Sequence, residues 1–176
     1  MAHILSYKDQ KPKLGEGVFV AVNAAVVGDV TIGDKTNIWY GVQIRGDVNT
    51  VRIGQHTNIQ DGTVCHVTSG SSKGKLTIGS YVTIGHNATV HACTIEDHAF
   101  VGMGATVLDG AVVESYAMLA AGALLTNNKR VPTGEVWAGN PAKFFRKMTT
   151  EEKDYISWSA QHYVKLGQEH ANSVSV

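Results

Sequence analysis

The chain has only two cysteines, Cys65 and Cys93, in 176 residues. That is too few for a disulfide framework, so reduced thiols are expected. No apolar run approaches the ~20 residues that a membrane-spanning helix needs. The longest, residues 117–125, is broken by Gly122. Charge of one sign is also missing: 15 Lys and Arg balance 15 Asp and Glu. A nucleic-acid binder would need a basic excess to meet phosphates, so no nucleic-acid partner is expected. Residues 1–14 carry Lys8, Asp9, Lys11 and Lys13 and lack the apolar stretch of a secretory signal. The expected protein is soluble and cytoplasmic, with no membrane partner. Aromatics are scarce at 7% and there are three Pro, whereas Gly reaches 19 and hydrophobic residues 43%. Such a composition suits a turn-rich β protein with an aliphatic core and excludes a disordered chain.

What is present is a period of six. Aliphatic residues recur at Leu14, Val20, Val26, Ile32, Ile38 and Ile44. After three extra residues the register resumes at Ile53, Ile59 and Cys65; after a seven-residue insertion it resumes at Ile78, Ile84 and Val90. One residue is then dropped, and Ile95 through Leu125 complete eighteen hexads. Six is neither a helical period nor a strand alternation; it is the period of a solenoid with short flat strands and a tight corner after each. Three hexads make one triangular coil, so the spacing predicts about six coils with the aliphatic and the small residue of each hexad pointing inward. The pattern resembles the left-handed parallel β-helix of hexapeptide-repeat proteins, and the left hand is taken from that resemblance. The expected organisation is an N-terminal segment 1–13, a β-helix 14–130, a connecting loop 131–148, a helix 149–170 and a tail 171–176. The helix start rests on Thr149-Thr150-Glu151-Glu152, which reads as a capping box. Ile156, Tyr163, Val164 and Leu166 give that helix its apolar side.

Stacking assigns side chains to faces. Val26, Ile44, Cys65, Val90, Val107 and Leu125 begin the third face of their coils, and the residue after each points outward. His66 and His91 then become outward neighbours on adjacent coils, close enough for both imidazoles to reach one ion. His86 falls at a corner, in a stack with Asp61 and Met103. In a threefold assembly the corner of one chain can press on the face of the next. His66 and His91 of one subunit with His86 of another would give three imidazoles and an open position, the arrangement of a catalytic zinc. His3, His56, His98, His162 and His170 show no such alignment and read as ordinary polar residues. Cys65 points inward and reads as packing, and Cys93 needs no ligand role either. Arg45, Asp47 and Asp61 are outward residues that would be solvated or would form a charge cluster between subunits. Gln60 is placed to hydrogen-bond a water at the site.

Arg45-Gly46-Asp47, then Asn58-Ile59-Gln60-Asp61-Gly62, then His66, then Gly85-His86 with His91, resemble in order the motifs of gamma-class carbonic anhydrases. The similarity runs from about Val18 to Lys143. It implies zinc, with iron or cobalt as substitutes, held by His66, His86 and His91 between subunits of a homotrimer. It also implies that Arg45, Asp47 and Asp61 join subunits, that Asn58 and Gln60 line the site, and that carbon dioxide is hydrated to bicarbonate. The loop after His66, residues 67–75, lacks the acidic shuttle residue of that family, and Val48 replaces an acidic residue after Asp47. Slow turnover is the consequence expected. The alternatives are an acyl-coenzyme A-dependent acyltransferase, a metal-dependent hydrolase or thioesterase, and a noncatalytic trimer stapled by metal. An acyltransferase needs a single general-base His and has no use for three.

Overall fold

Inward aliphatic side chains set the register of the whole chain. In the computed structural model, which describes residues 2–70 and 74–173, the residues six apart fall into three stacked rows. One row runs Leu14, Ile32, Ile53, Ile78, Ile95 and Val113, each paired with the next through parallel ladder bonds. A second contains Val20, Ile38, Ile59, Ile84 and Val101. The third contains Val26, Ile44, Cys65, Val90, Val107 and Leu125. Apart from Leu14, which is exposed, and Val20, which is half-buried against the rest, these side chains and the small residues at the corners, Ala88, Ala99, Ala105, Ala111, Ala117 and Ala123 among them, form one continuous buried core. The result is a parallel β-solenoid of about seven turns with one helix, α1, spanning Thr150–Ser173.

The solenoid is longer than the six-residue period predicts. His3–Leu5 pairs with Ala25–Val27, adding Ile4 to the third row. Arg130–Val131 pairs with Val112–Val113, and Glu135–Ala138 continues from Met118–Leu119, adding Val131 and Trp137. The segment expected as a connecting loop at 131–148 is therefore a further turn of solenoid. It ends in an antiparallel hairpin between Glu135–Ala138 and Lys143–Lys147. Within the expected N-terminal segment, His3–Leu5 likewise begins the prism. Trp137 escaped the pattern because an indole replaces the aliphatic residue, and Ile4 because charged residues separate it from the first unbroken run.

The C-terminal helix opens on the expected capping box. The Thr149 amide donates to Glu152 Oε2 at 3.0 Å and the Glu152 amide donates to Thr149 Oγ1 at 3.2 Å. This satisfies two backbone donors that a helix start otherwise leaves without partners. Helical pairing continues to Ser173, past the boundary expected at 170; positions 174–176 of the expected tail lie outside the described residues. The helix lies along the second face, and its contact stripe is Ile156, Ser159, Ala160 and Gly167 rather than an all-aliphatic one. Gly167 approaches the prism so closely that a Cβ there would sit 3.1 Å from the Asn37 Cβ. Tyr163 meets Trp39 edge-on with ring centroids 5.5 Å apart. These small residues let the helix bury the outward row Asn37, Asn58 and Thr83, all at most 1% exposed.

Candidate metal centre

His66 and His91 are register partners on adjacent coils, as the stacking predicts. Their facing nitrogens, His66 Nδ1 and His91 Nε2, are 3.2 Å apart. The other nitrogen of each ring meets a carboxylate. His66 Nε2 lies 3.1 Å from Asp47 Oδ1, and His91 Nδ1 lies 2.6 Å from Asp109 Oδ1. An ionised carboxylate only accepts, so each imidazole carries its proton on the carboxylate side. Both facing nitrogens of the neutral rings then present lone pairs to one another. That contact is repulsive unless a proton or a metal cation lies between them. Two zinc–nitrogen bonds of about 2.0–2.1 Å at a tetrahedral angle would place the nitrogens about 3.3 Å apart, so the donor set and its spacing fit zinc.

The carboxylates are themselves anchored. Asp47 takes a charge-assisted bond from Arg45 and a backbone bond from the Val48 amide at 3.0 Å. Asp109 accepts from Thr68 Oγ1 at 2.5 Å. For both carboxylates partial burial pushes the pKa up, but the hydrogen bonds they accept outweigh it and hold it below the ordinary value. They remain ionised acceptors at neutral pH. Both anchors come from the places where the six-residue period is interrupted. Asp47 sits within the long strand Gln43–Ile53, which carries the three extra residues. Thr68 begins the seven-residue insertion, where its amide donates to the Gly74 carbonyl at 2.9 Å. Positions 71–73 of that insertion lie outside the described residues. Asp109 and Thr68 were not singled out in the sequence. Asp109 falls two residues after Val107 in the coil above, so the same stacking that found His66 and His91 could have found it.

His86 stands apart, on the corner between the second and third faces. Its Nδ1 is 2.8 Å from Asp61 Oδ2, which leaves Nε2 as the outward nitrogen. Among the described residues of one chain, no group of three or more His, Cys, Asp or Glu side chains converges as a complete metal site. His66 and His91 thus form a pair that is not a complete site within one chain, and His86, oriented by Asp61, faces outward elsewhere. Arg45, Asp47 and Asp61, expected as a charge cluster, are each engaged inside the chain, Asp47 with Arg45 and His66, Asp61 with His86. Cys65 is fully buried, and burial pushes its thiol up to about 12. Burial pushes the Cys93 thiol up as well. Neither thiol joins the histidines.

Gln60 shares a groove of about 260 Å³ with His86. Phe100, Met103, Met118 and Tyr155 form apolar walls, and Thr83 and Ser159 also line it. Asn58 is completely buried, and its side chain works inside the protein. Its Nδ2 donates to the Val82 carbonyl at 3.3 Å and to Thr83 Oγ1 at 2.8 Å, while its Oδ1 accepts from Gln60 Nε2 at 3.0 Å. Gln60 lines the groove, whereas Asn58 lies behind it.

The solenoid, with its rows of inward aliphatic residues, defines a hexapeptide-repeat protein. Residues 11–46 match the family described as bacterial transferase hexapeptide (six repeats). The chain is 54% identical over 175 residues to gamma carbonic anhydrase 2, mitochondrial, of Arabidopsis thaliana, a match covering 98% of this chain and 63% of that protein. It is 45% identical over 156 residues to the probable carbonic anhydrase of Methanocaldococcus jannaschii, covering 88% of this chain and 96% of that one. The crystal structure of a hexapeptide transferase family protein from Anaplasma phagocytophilum superposes with a TM-score of 0.91 at 48% identity, covering 96% of this chain and 98% of that one. The chain belongs to the gamma carbonic anhydrase family of hexapeptide-repeat proteins. It spans about 63% of the length of the Arabidopsis relative. Among the described residues no helix is long and apolar enough to cross a membrane.

Proposed function

We propose that the protein catalyses the reversible hydration of carbon dioxide to bicarbonate, at zinc sites shared between subunits of a homotrimer. His66 and His91 of one subunit and His86 of the next would hold the metal. The observation that carries this reading is the convergence of two imidazole lone pairs at 3.2 Å, each fixed by its own carboxylate. A third imidazole with the same kind of partner faces outward at a corner. Zinc in such a site supplies a Lewis acid that makes water nucleophilic near neutral pH; iron or cobalt fits the same donors.

The chain's own groups then divide the work. Asp47, Asp109 and Asp61 hold the protons of His66, His91 and His86 on the nitrogens away from the site. Gln60 offers its carbonyl oxygen as an acceptor for a proton of the reacting water. Asn58 positions Gln60 rather than touching substrate. Arg45, half exposed, can reach across to the neighbouring subunit while still holding Asp47. The proton released on hydration has no carboxylate to receive it on the loop 67–75, so export to buffer limits turnover. The two buried, unpaired thiols suit a reducing compartment, and we place the protein in the cytoplasm.

The acyltransferase reading gains nothing from three carboxylate-oriented imidazoles, since one general base would serve it. The test is metal content per chain together with carbon dioxide hydration, assayed with and without concentrated imidazole as an external proton carrier. About one metal per chain and hydration that rises with imidazole support the proposal. A protein that takes up no zinc, iron or cobalt overturns it.

A further inference from the structure

The hydrogen bonds behind Gln60 run in one direction, and they reach the C-terminal helix. The Val82 carbonyl can only accept, so the Asn58 atom 3.3 Å from it is the amide nitrogen. That choice fixes the rest. Asn58 Nδ2 also donates to Thr83 Oγ1, and Asn58 Oδ1 must face Gln60, whose Nε2 donates to it. Gln60 Oε1 is left for the groove that His86 shares. Thr83 Oγ1, having accepted from Asn58, lies 3.1 Å from Ser159 Oγ on the helix. Either hydroxyl can donate in that contact, and it ties Thr83 to the helix in both cases. Asn58, Thr83 and Ser159 are each at most 1% exposed, so water does not substitute for any of these bonds.

We propose that Thr83 and Ser159 are positioning residues that hold the Gln60 carbonyl oxygen toward the groove, which makes the C-terminal helix a working part of the site. The proposal rests on the carbonic anhydrase reading for its catalytic consequence, but the orientation of Gln60 is a property of the chain alone. Without the Thr83 hydroxyl, the Asn58 amide nitrogen keeps only its longer bond to the Val82 carbonyl. Its amide is then free to turn over, and Gln60 would turn with it, presenting NH2 where an acceptor is needed. A buried network of this kind fails as a unit when one member is left without its partner.

The experiment compares Thr83→Val, Thr83→Ser and Ser159→Ala with the unaltered protein. It measures kcat and KM for hydration, metal per chain, and the side-chain amide signals of Asn58 and Gln60 by 15N NMR. Thr83→Val should lower kcat about tenfold, the effect of roughly 1.4 kcal/mol at the transition state, with metal content unchanged. Its Asn58 and Gln60 amide protons should shift and exchange faster with solvent. Thr83→Ser, which keeps the hydroxyl, should restore both readouts, and Ser159→Ala should fall between. Amide signals of Thr83→Val identical to those of the unaltered protein would overturn the proposal. So would a loss of activity that merely tracks loss of metal, or Thr83→Ser behaving like Thr83→Val. Should the metal-loaded unaltered protein hydrate no carbon dioxide in any buffer, the activity reading fails and the amide signals alone decide the orientation.

Discussion

Two stacks of histidines run up this solenoid, and they come to opposite ends. On the third face His66 and His91 tilt against each other, with their rings at 56°. Each is turned by a carboxylate so that a lone pair points into shared space. At the corner after the first face, His56, Tyr81, His98 and Tyr116 lie flat on one another, centroids 4.9, 5.0 and 4.8 Å apart and interplanar angles of 12°, 1° and 4°. Among the described residues no carboxylate bonds to these imidazoles, and the Nδ1 atoms of His56 and His98 are buried without a hydrogen-bond partner. All four residues have a left-handed backbone, with φ between 52° and 58°, a conformation that costs an ordinary residue about 1–2 kcal/mol. Ring stacking offsets part of that cost. The same side chain is thus turned to present a lone pair in one row and laid flat as a spacer in another. The carboxylate beside it makes the difference.

The comparison can be broken most severely at the metal. His66→Ala or His91→Ala should each remove metal binding altogether, while His56→Ala and His98→Ala should leave the metal per chain unchanged; elemental analysis of the four variants decides it. Next comes the carboxylate. Asp109→Asn keeps the shape but can turn its NH2 toward His91 Nδ1, favouring the wrong tautomer. Zinc affinity measured by chelator competition should fall about 10–100-fold. At the corner, His98→Ala takes a ring from the middle of the stack yet keeps a Cβ in the left-handed backbone. It should cost about 1–2 kcal/mol in denaturant unfolding, and His98→Gly should cost less because glycine accepts that backbone freely.

The smallest effect is a pH dependence of the corner stack. Burial, helped by the charge of Lys35, lowers the His56 pKa below its ordinary 6.5. The unfolded chain therefore binds a proton that the folded one resists. Stability from this residue is complete above the ordinary value and declines as pH falls through 6.5 toward the lowered folded value. His56→Phe keeps a ring in the stack without the titration, so its unfolding free energy should change less across that range than that of the unaltered protein.

Much of this was legible in the sequence because a solenoid translates spacing directly into position. Ile44, Cys65 and Val90 placed Arg45, His66 and His91 in one outward row, and Thr149 with Glu152 placed the helix start. What escaped did so for physical reasons. His56 and His98 each sit three residues after an inward isoleucine, and Tyr81 and Tyr116 occupy the same offset. The corner stack could have been read from the register, but corners are expected to hold glycine or asparagine, and aromatic rings there hid the pattern. Thr83 and Ser159 were out of reach, since the contact joins residues 76 apart and depends on where a helix of small contact residues settles. The two insertions looked like interruptions. In the fold they bring Asp47 and Thr68 to the histidines.

Whether two chains build one metal site is tested most directly by mixed oligomers. His66→Ala and His86→Ala are each expected to purify without metal. Unfolded and refolded together, they should regain metal, because the His86→Ala chain keeps His66 and His91 while the His66→Ala chain supplies His86. Recovery of zinc in the mixed assembly, with none in either variant refolded alone, is the predicted result. Mixed assemblies that form with the expected mass yet bind no metal would contradict a site shared between subunits.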